Sequence, residues 1–559
     1  MFAGPRLARL DGTNEVIRRV NTIARLRPKS VVLTHLPAES IEHFKRELPE
    51  KMLVISDDTE MLIESRKKAI RNGELRWGRE NLAVGLMKAK SQKQLLRITE
   101  DEQNPETSYL LGKEHLIVLE EVDPIASLVA ANFAFSVGAS LLLIPPRPEG
   151  EEFEIYDVLY STYDLDGIAL GEQRLRELQE ELRDSLPAFD FDPFKFITFI
   201  THGTPWGIAF QDRPTTHLFA YPDLGVFLAN SIQRESQVDN GSPISLLIDP
   251  ELLAATDIAK VSEVLRAKGS AIRYLRGKEA SVERVGLAIE AYPYDFLFIS
   301  THAADLGGEL HTYVIADDSG TEHEIICEVA PSISHVPGTE LFELREFFRP
   351  VQIDGIELRS AEGKANRELH QIKGRFYEYA ISDRIDLKPI HREAIDRVAG
   401  AKAIQCANGA YLPMLHLVAS GNRPIVIINS CVSWLDLSKM FTFAGARCYV
   451  GPATPVLNAQ AEMVADEMSR HLRSRTVMIS LFRAQRSVFQ ERNRPYLMVG
   501  THFTTLGRVV KNATVYRDNR LVQEAEGWTA KGRSSSDKHV ANKSMLFARY
   551  LRAELMREE

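Results

Sequence analysis

Two apolar runs in the second half of the chain end in reactive side chains. Arg423-Pro-Ile-Val-Ile-Ile-Asn-Ser-Cys431 is an unbroken hydrophobic strand that presents a thiol. Tyr294-Asp-Phe-Leu-Phe-Ile-Ser-Thr-His302 repeats the plan with an imidazole. A run without polar alternation reads as a strand buried on both faces, the strand of a parallel sheet covered by helices. Such sheets carry their chemistry at the carboxyl ends of the strands. The pattern predicts an α/β fold with Cys431 and His302 at strand ends, the parts of a thiol nucleophile and its acid/base partner.

The surrounding sequence extends this reading. Strands and helices alternate over 30–34, 38–48, 52–56, 59–72, 115–119, 124–137 and 141–144, and again over 244–249, 252–268, 270–275, 279–291 and 295–300. That alternation means βα units and a parallel sheet. Asp317-Asp-Ser-Gly320 predicts a hairpin across 314–327. The stretch 328–400 reads as an insertion, 411–420 as a helix, and 433–443 and 458–472 as helices around a strand at 446–450. A strand at 495–499, a hairpin across 509–526, a polar linker at 531–538 and a helix to about Met556 complete the expectation. A chain of 559 residues exceeds one core. The predicted division is an α/β domain over 1–240, a domain carrying both motifs over 241–510 with its insertion at about 328–400, and a C-terminal piece over 511–559.

The four cysteines, Cys327, Cys406, Cys431 and Cys448, form no Cys-x-x-Cys pair. Neither a disulfide framework nor a zinc cluster is suggested, and the expectation is a reducing cytoplasm with no metal and no cofactor. A net charge of −9 leaves no nucleic-acid footprint at the level of the whole chain. No signal-peptide core and no apolar stretch of membrane-spanning length is read, so no membrane partner is expected. Phosphate-binding glycine loops, His-Glu-x-x-His and Gly-x-Ser-x-Gly are all absent from the sequence.

The stretch from about 244 to 506 resembles the caspase-like fold of clan CD cysteine peptidases, and within it the CHAT group related to separases. YDFLFISTHAADLGG at 294–308 is similar to the family's strand and His-Gly motif, and IVIINSCVS at 425–433 to its strand and Asn-x-Cys-x-Ser motif. FAGARCYVGPATPV at 443–456 and RPYLMVG at 494–500 resemble its later strands. Ala303 and Thr454 stand where the family usually has Gly and Trp, and the interval from His302 to Cys431 is long for the compact form. The resemblance implies a mostly parallel sheet with helices on both faces, a Cys431/His302 dyad, and an oxyanion hole from the Cys431 and Ala303 amides. It further implies a regulated endopeptidase acting on a protein substrate in a bacterial antiviral or cell-death module, switched by a protein activator or a cleavage. The competing reading is a caspase-like scaffold that has lost catalysis.

Three residues near the motifs are candidates for substrate contact. Asp305 and Asp436 could select a basic P1 side chain or could be ordinary loop and helix acids, and Ser433 follows the thiol. A second strand-plus-His-Gly, FKFITFITHG at 194–203, mimics the His302 strand. No cysteine precedes residue 327. Residues 1–240 are therefore either a degenerate copy of the same fold or an unrelated α/β domain. A third reading makes that half a small-ligand enzyme with a pocket near Thr34, Ser56 and Ile144.

Overall fold

The computed structural model describes residues 31–557 except 34–37, 56–71, 148–150, 162–167, 221–223, 237–243, 336–341, 382–387, 508–511 and several shorter stretches. The helix expected over 59–72 falls almost wholly outside the described residues, as do Thr34 and Ser56. The chain divides into two compact units that interleave along the sequence. Residues 1–147, 165–240 and 474–505 make the first, and residues 148–164, 241–473 and 506–559 the second.

The first unit is built on four parallel strands: β1 (His115–Glu120), β2 (Ser140–Ile144), β3 (Phe196–Thr201) and β4 (Thr215–Phe219). They lie in the order β2-β1-β3-β4. Strand Tyr496–Gly500 adds to β4 in parallel, and Ser108–Tyr109 runs antiparallel on β2. Helix α1 (Pro124–Ser136) crosses from β1 to β2, with proline at its first position, where no N–H is needed. Between β2 and β3 come α2 (Glu151–Ser161), which belongs to the second unit, and α3 (Ile168–Asp184). Helix α4 (Leu224–Ser236) follows β4. One face of the sheet contributes Ile117, Leu119, Leu141, Leu143, Ile200 and Leu218 to a core with Phe133 and Trp77. The alternate-residue spacing is what a pleated strand imposes.

The second unit repeats the plan. Strands β5 (Ile244–Asp249), β6 (Ala271–Arg276), β7 (Phe296–Ser300), β8 (Ile425–Asn429) and β9 (Cys448–Pro452) are all parallel, in the order β6-β5-β7-β8-β9. Helices α5 (Asp257–Ala267), α6 (Val282–Ala291), α7 (Trp434–Phe443) and α8 (Asn458–His471) alternate with them. Ser281 starts α6 by accepting the Arg284 N–H. Within each unit the first four strands are parallel, and the order is the same in both. His202 follows β3 as His302 follows β7. Thr201 pairs with Phe219, so Ala220 stands opposite His202, where the second unit has Cys431 opposite His302.

Three expectations change. The insertion is larger and more regular than 328–400 suggested. It is a five-stranded antiparallel sheet of Gly308–Ala316, Glu322–His335, Phe342–Ile353, Ile356–Glu357 and His391–Ile395, covered by the helix Arg367–Ile381. Leu369, Ile372 and Phe376 of that helix pack on Tyr313, Ile325, Cys327 and Ile353. The predicted hairpin across 314–327 is the middle of this longer ribbon. The stretch 411–420 is not helical. Among its described residues Tyr411 ends the strand Gly409–Tyr411, and Ala419–Gly421 is a short 3-10 turn in which Ala419 and Ser420 take positive φ. The hairpin expected across 509–526 is instead α9 (Ala513–Ser534), opened by Asn512 accepting the Val515 N–H and followed by α10 (Lys538–Leu555).

Candidate active site

The site is set by the pairing of β7 with β8, both completely buried strands. Their last paired residues are Ser300 and Asn429. His302 and Cys431 each stand two residues further on, so the register brings the two residues to matching positions at the carboxyl edge. Hydrogen bonds fix the two ends. Ser430 Oγ donates to the Thr301 carbonyl at 2.5 Å, and Thr301 Oγ1 donates to the Gln405 carbonyl at 2.8 Å. The Gln405 N–H returns a bond to the His302 carbonyl at 2.9 Å. This ties the His302 turn to the strand Lys402–Cys406, which pairs antiparallel with Ala303–Asp305. Ala303 is thus buried, extended backbone, a conformation in which alanine costs no more than glycine.

His302 is exposed and Cys431 half-buried. The Cys431 sulfur lies against the backbone of Val456, accepting its N–H at 3.5 Å and facing its carbonyl at 3.7 Å. Val432, directly after the thiol, has φ 47°. A β-branched residue there is strained by roughly 1–3 kcal/mol, and such strain gathers at functional turns. Helix α7 begins at Trp434, so its free amides lie just beyond the thiol. Ser433 is fully buried, and its hydroxyl donates to the Ile428 carbonyl at 3.2 Å. The other cysteines are buried and in no disulfide. Burial pushes the Cys327 thiol up strongly and that of Cys406 up to about 12.

Asp305 faces two cations. Arg397 Nε is 2.7 Å from one carboxylate oxygen and Lys402 Nζ is 3.2 Å from the other, and both the Lys402 and the Asp305 side chains are almost inaccessible. Asp436 on α7 is pushed up, first by burial and then by Asp305, against the pull of Lys402, Lys439 and Arg349. Helix α2 closes over this charge cluster. Tyr160 receives Arg397 and Lys402 on its ring at 4.1 and 4.8 Å, Asp157 pairs with Arg397 at 3.0 Å, and Tyr156 stacks on Trp434 of α7. Sequence reading missed α2, Lys402 and Arg397 because each lies far along the chain from both motifs. It also missed Asp257, a buried acid at the first position of α5 whose only local signal is its place at a helix start.

Among the described residues no group of three or more His, Cys, Asp or Glu side chains could hold a metal ion, and no helix is long and apolar enough to cross a membrane. Comparison with protein-family models finds no match, and comparison with curated proteins finds none either.

Proposed function

We propose that the chain is a cysteine endopeptidase that cleaves a protein partner through Cys431 and His302. One observation carries the reading: thiol and imidazole follow adjacent parallel strands at the same step beyond a paired Ser300 and Asn429. The half-exposed thiol, the strained turn at Val432 and the start of α7 support it. In this mechanism the Cys431 thiol gives its proton to His302 as the sulfur attacks the scissile carbonyl carbon, and the Cys431 and Ala303 amides receive the oxyanion. His302 protonates the departing amine, leaving a thioester on Cys431. It then takes a proton from water, whose oxygen displaces the sulfur and releases the acid.

The strand order β6-β5-β7-β8-β9 supports the caspase-like resemblance, and the matching order in the first unit supports a degenerate copy whose nucleophile position is Ala220. Such a half has no nucleophile, and its proposed role is to receive a protein activator. Four cysteines outside any disulfide suit a reducing cytoplasm, and a role in bacterial defence follows from the resemblance alone. Full-length protein should cleave fluorescent casein, and Cys431→Ala and His302→Ala should each abolish cleavage while moving the thermal midpoint by no more than about 2 °C. Cleavage that survives Cys431→Ala sinks the mechanism. The contacts of the sulfur with both polar atoms of Val456 favour one other reading, an inactive scaffold. That reading predicts no cleavage and slow labelling of Cys431.

A further inference from the structure

The two reactive strand ends share a buried anchor. Asp257 opens α5 and is 2% exposed. A single carboxylate oxygen, Oδ2, accepts from Ser300 Oγ at 2.8 Å and from Asn429 Nδ2 at 2.7 Å. The other oxygen accepts the Ile258 N–H at 2.9 Å. Ser300 and Asn429 are the final paired residues of β7 and β8, each two positions before a reactive side chain. All of these donors are neutral, and the charged neighbour that acts on Asp257, Asp249, is also acidic. Burial accordingly raises the Asp257 carboxyl while the hydrogen bonds oppose it. A buried carboxylate without a cation is an expensive way to join two strands that backbone pairing already joins. What it adds is a fixed lateral spacing at the point where the ladder ends.

We infer that Asp257 is a positioning residue for the Cys431/His302 site, setting the distance between thiol and imidazole by holding Ser300 and Asn429 on one oxygen. The inference rests on the proposed use of that pair. It reaches further because it places the control of their geometry on a third element, α5. Misplacement of reacting groups by a fraction of an ångström lowers the rate of the chemical step and leaves substrate binding alone. The signature of Asp257 is therefore a fall in kcat at constant KM, accompanied by slower reaction of the thiol.

The experiment uses the full-length protein with Asp257→Ala, Asp257→Asn, Ser300→Ala and Asn429→Ala. Casein cleavage gives kcat and KM, and iodoacetamide with mass spectrometry gives the alkylation rate of Cys431. Asp257→Ala should lower kcat and the alkylation rate by about tenfold or more, with KM within about twofold. Asp257→Asn should recover part of the loss, because its oxygen at the shared position still accepts from both Ser300 Oγ and Asn429 Nδ2, while its amide nitrogen meets the Ile258 N–H that the carboxylate accepted. Ser300→Ala and Asn429→Ala should each lower the alkylation rate by about threefold, and they carry the test if Asp257→Ala does not fold. Wild-type kcat and alkylation rates in a folded Asp257→Ala, or in both single-donor variants, overturn the inference. Should the wild type cleave no casein while the alkylation rates still follow this order, the positioning role stands independently of the peptidase reading. Cleavage that needs Cys431 but ignores Asp257 defeats the inference alone.

Discussion

Asp305 stands three residues beyond His302, yet its carboxylate is occupied by Arg397 and Lys402. Lys402 is buried, so removing Asp305 strands an ammonium group away from water. Breaking a buried pair from one side typically costs about 3–5 kcal/mol. Asp305→Ala should therefore lower the unfolding free energy by about 3 kcal/mol in urea while leaving any preference for the residue before the scissile bond unchanged. The reverse pattern, a changed preference at unchanged stability, would make Asp305 a substrate contact. The thiols divide as sharply. Cys431 should react with iodoacetamide before Cys327 and Cys406, whose thiols burial holds in the neutral form. His302→Ala should slow that reaction and leave it measurable, because the start of α7 remains. Cys431 was legible in the sequence because a strand runs straight into it. Asp257 was not, because its partners lie 43 and 172 residues away.

At the scale of elements, the parallel strands were legible because burial on both faces leaves a continuous apolar word. The inserted ribbon was not. Glu322–His335 carries Pro331 and mixed charges, and its pairing with Phe342–Ile353 shifts register between Ile326 and Cys327. Helix α9 was misread for a different reason. Only Ala513, Leu521 and Ala525 of its 22 residues are fully buried, so its apolar stripe is too thin to show a helical period. Two glycines of the insertion, one in its sheet and one in its helix, separate packing from propensity. A methyl group at Gly308 would run into the Val329 carbonyl and the Val398 side chain, so Gly308→Ala should cost about 2 kcal/mol or more. Gly374, inside the helix Arg367–Ile381, has open space around it. Gly374→Ala should stabilise by about 0.5–1 kcal/mol, and thermal melts of the pair give opposite signs.

At the scale of the molecule, three buried histidines make the first unit sensitive to acid. Burial lowers His217 and His502 to about 4. It lowers His115 to about 2, with the His502 ring 4.3 Å away adding to the effect. Each folded value lies below the ordinary value of about 6.5, so the fold favours the neutral ring. Their stabilisation is complete above pH ~6.5 and is lost as the pH falls toward 4, where the unfolded chain has taken up protons that the folded one refuses. Urea midpoints should fall between pH 7.5 and pH 5, by an amount equivalent to at most about 2 kcal/mol for each histidine. His502→Phe should flatten that slope, and an unchanged slope would remove His502 from the account.

The interleaving of the units also sets a timetable for biosynthesis. The first unit lacks a strand until residues 496–500 leave the ribosome, since Thr216 Oγ1 bonds the Gly500 carbonyl and the His217 ring bonds that of Met498. The second unit takes α2 from a stretch made long before the rest of it. Neither half can therefore mature as a free-standing nascent domain, and β4 waits with an open edge through some 280 residues of translation. A chain stopped at residue 240 should accumulate in the insoluble fraction and be recruited by chaperones, whereas the full chain should not. The first unit stays without one of its strands until residues 496–500 have emerged.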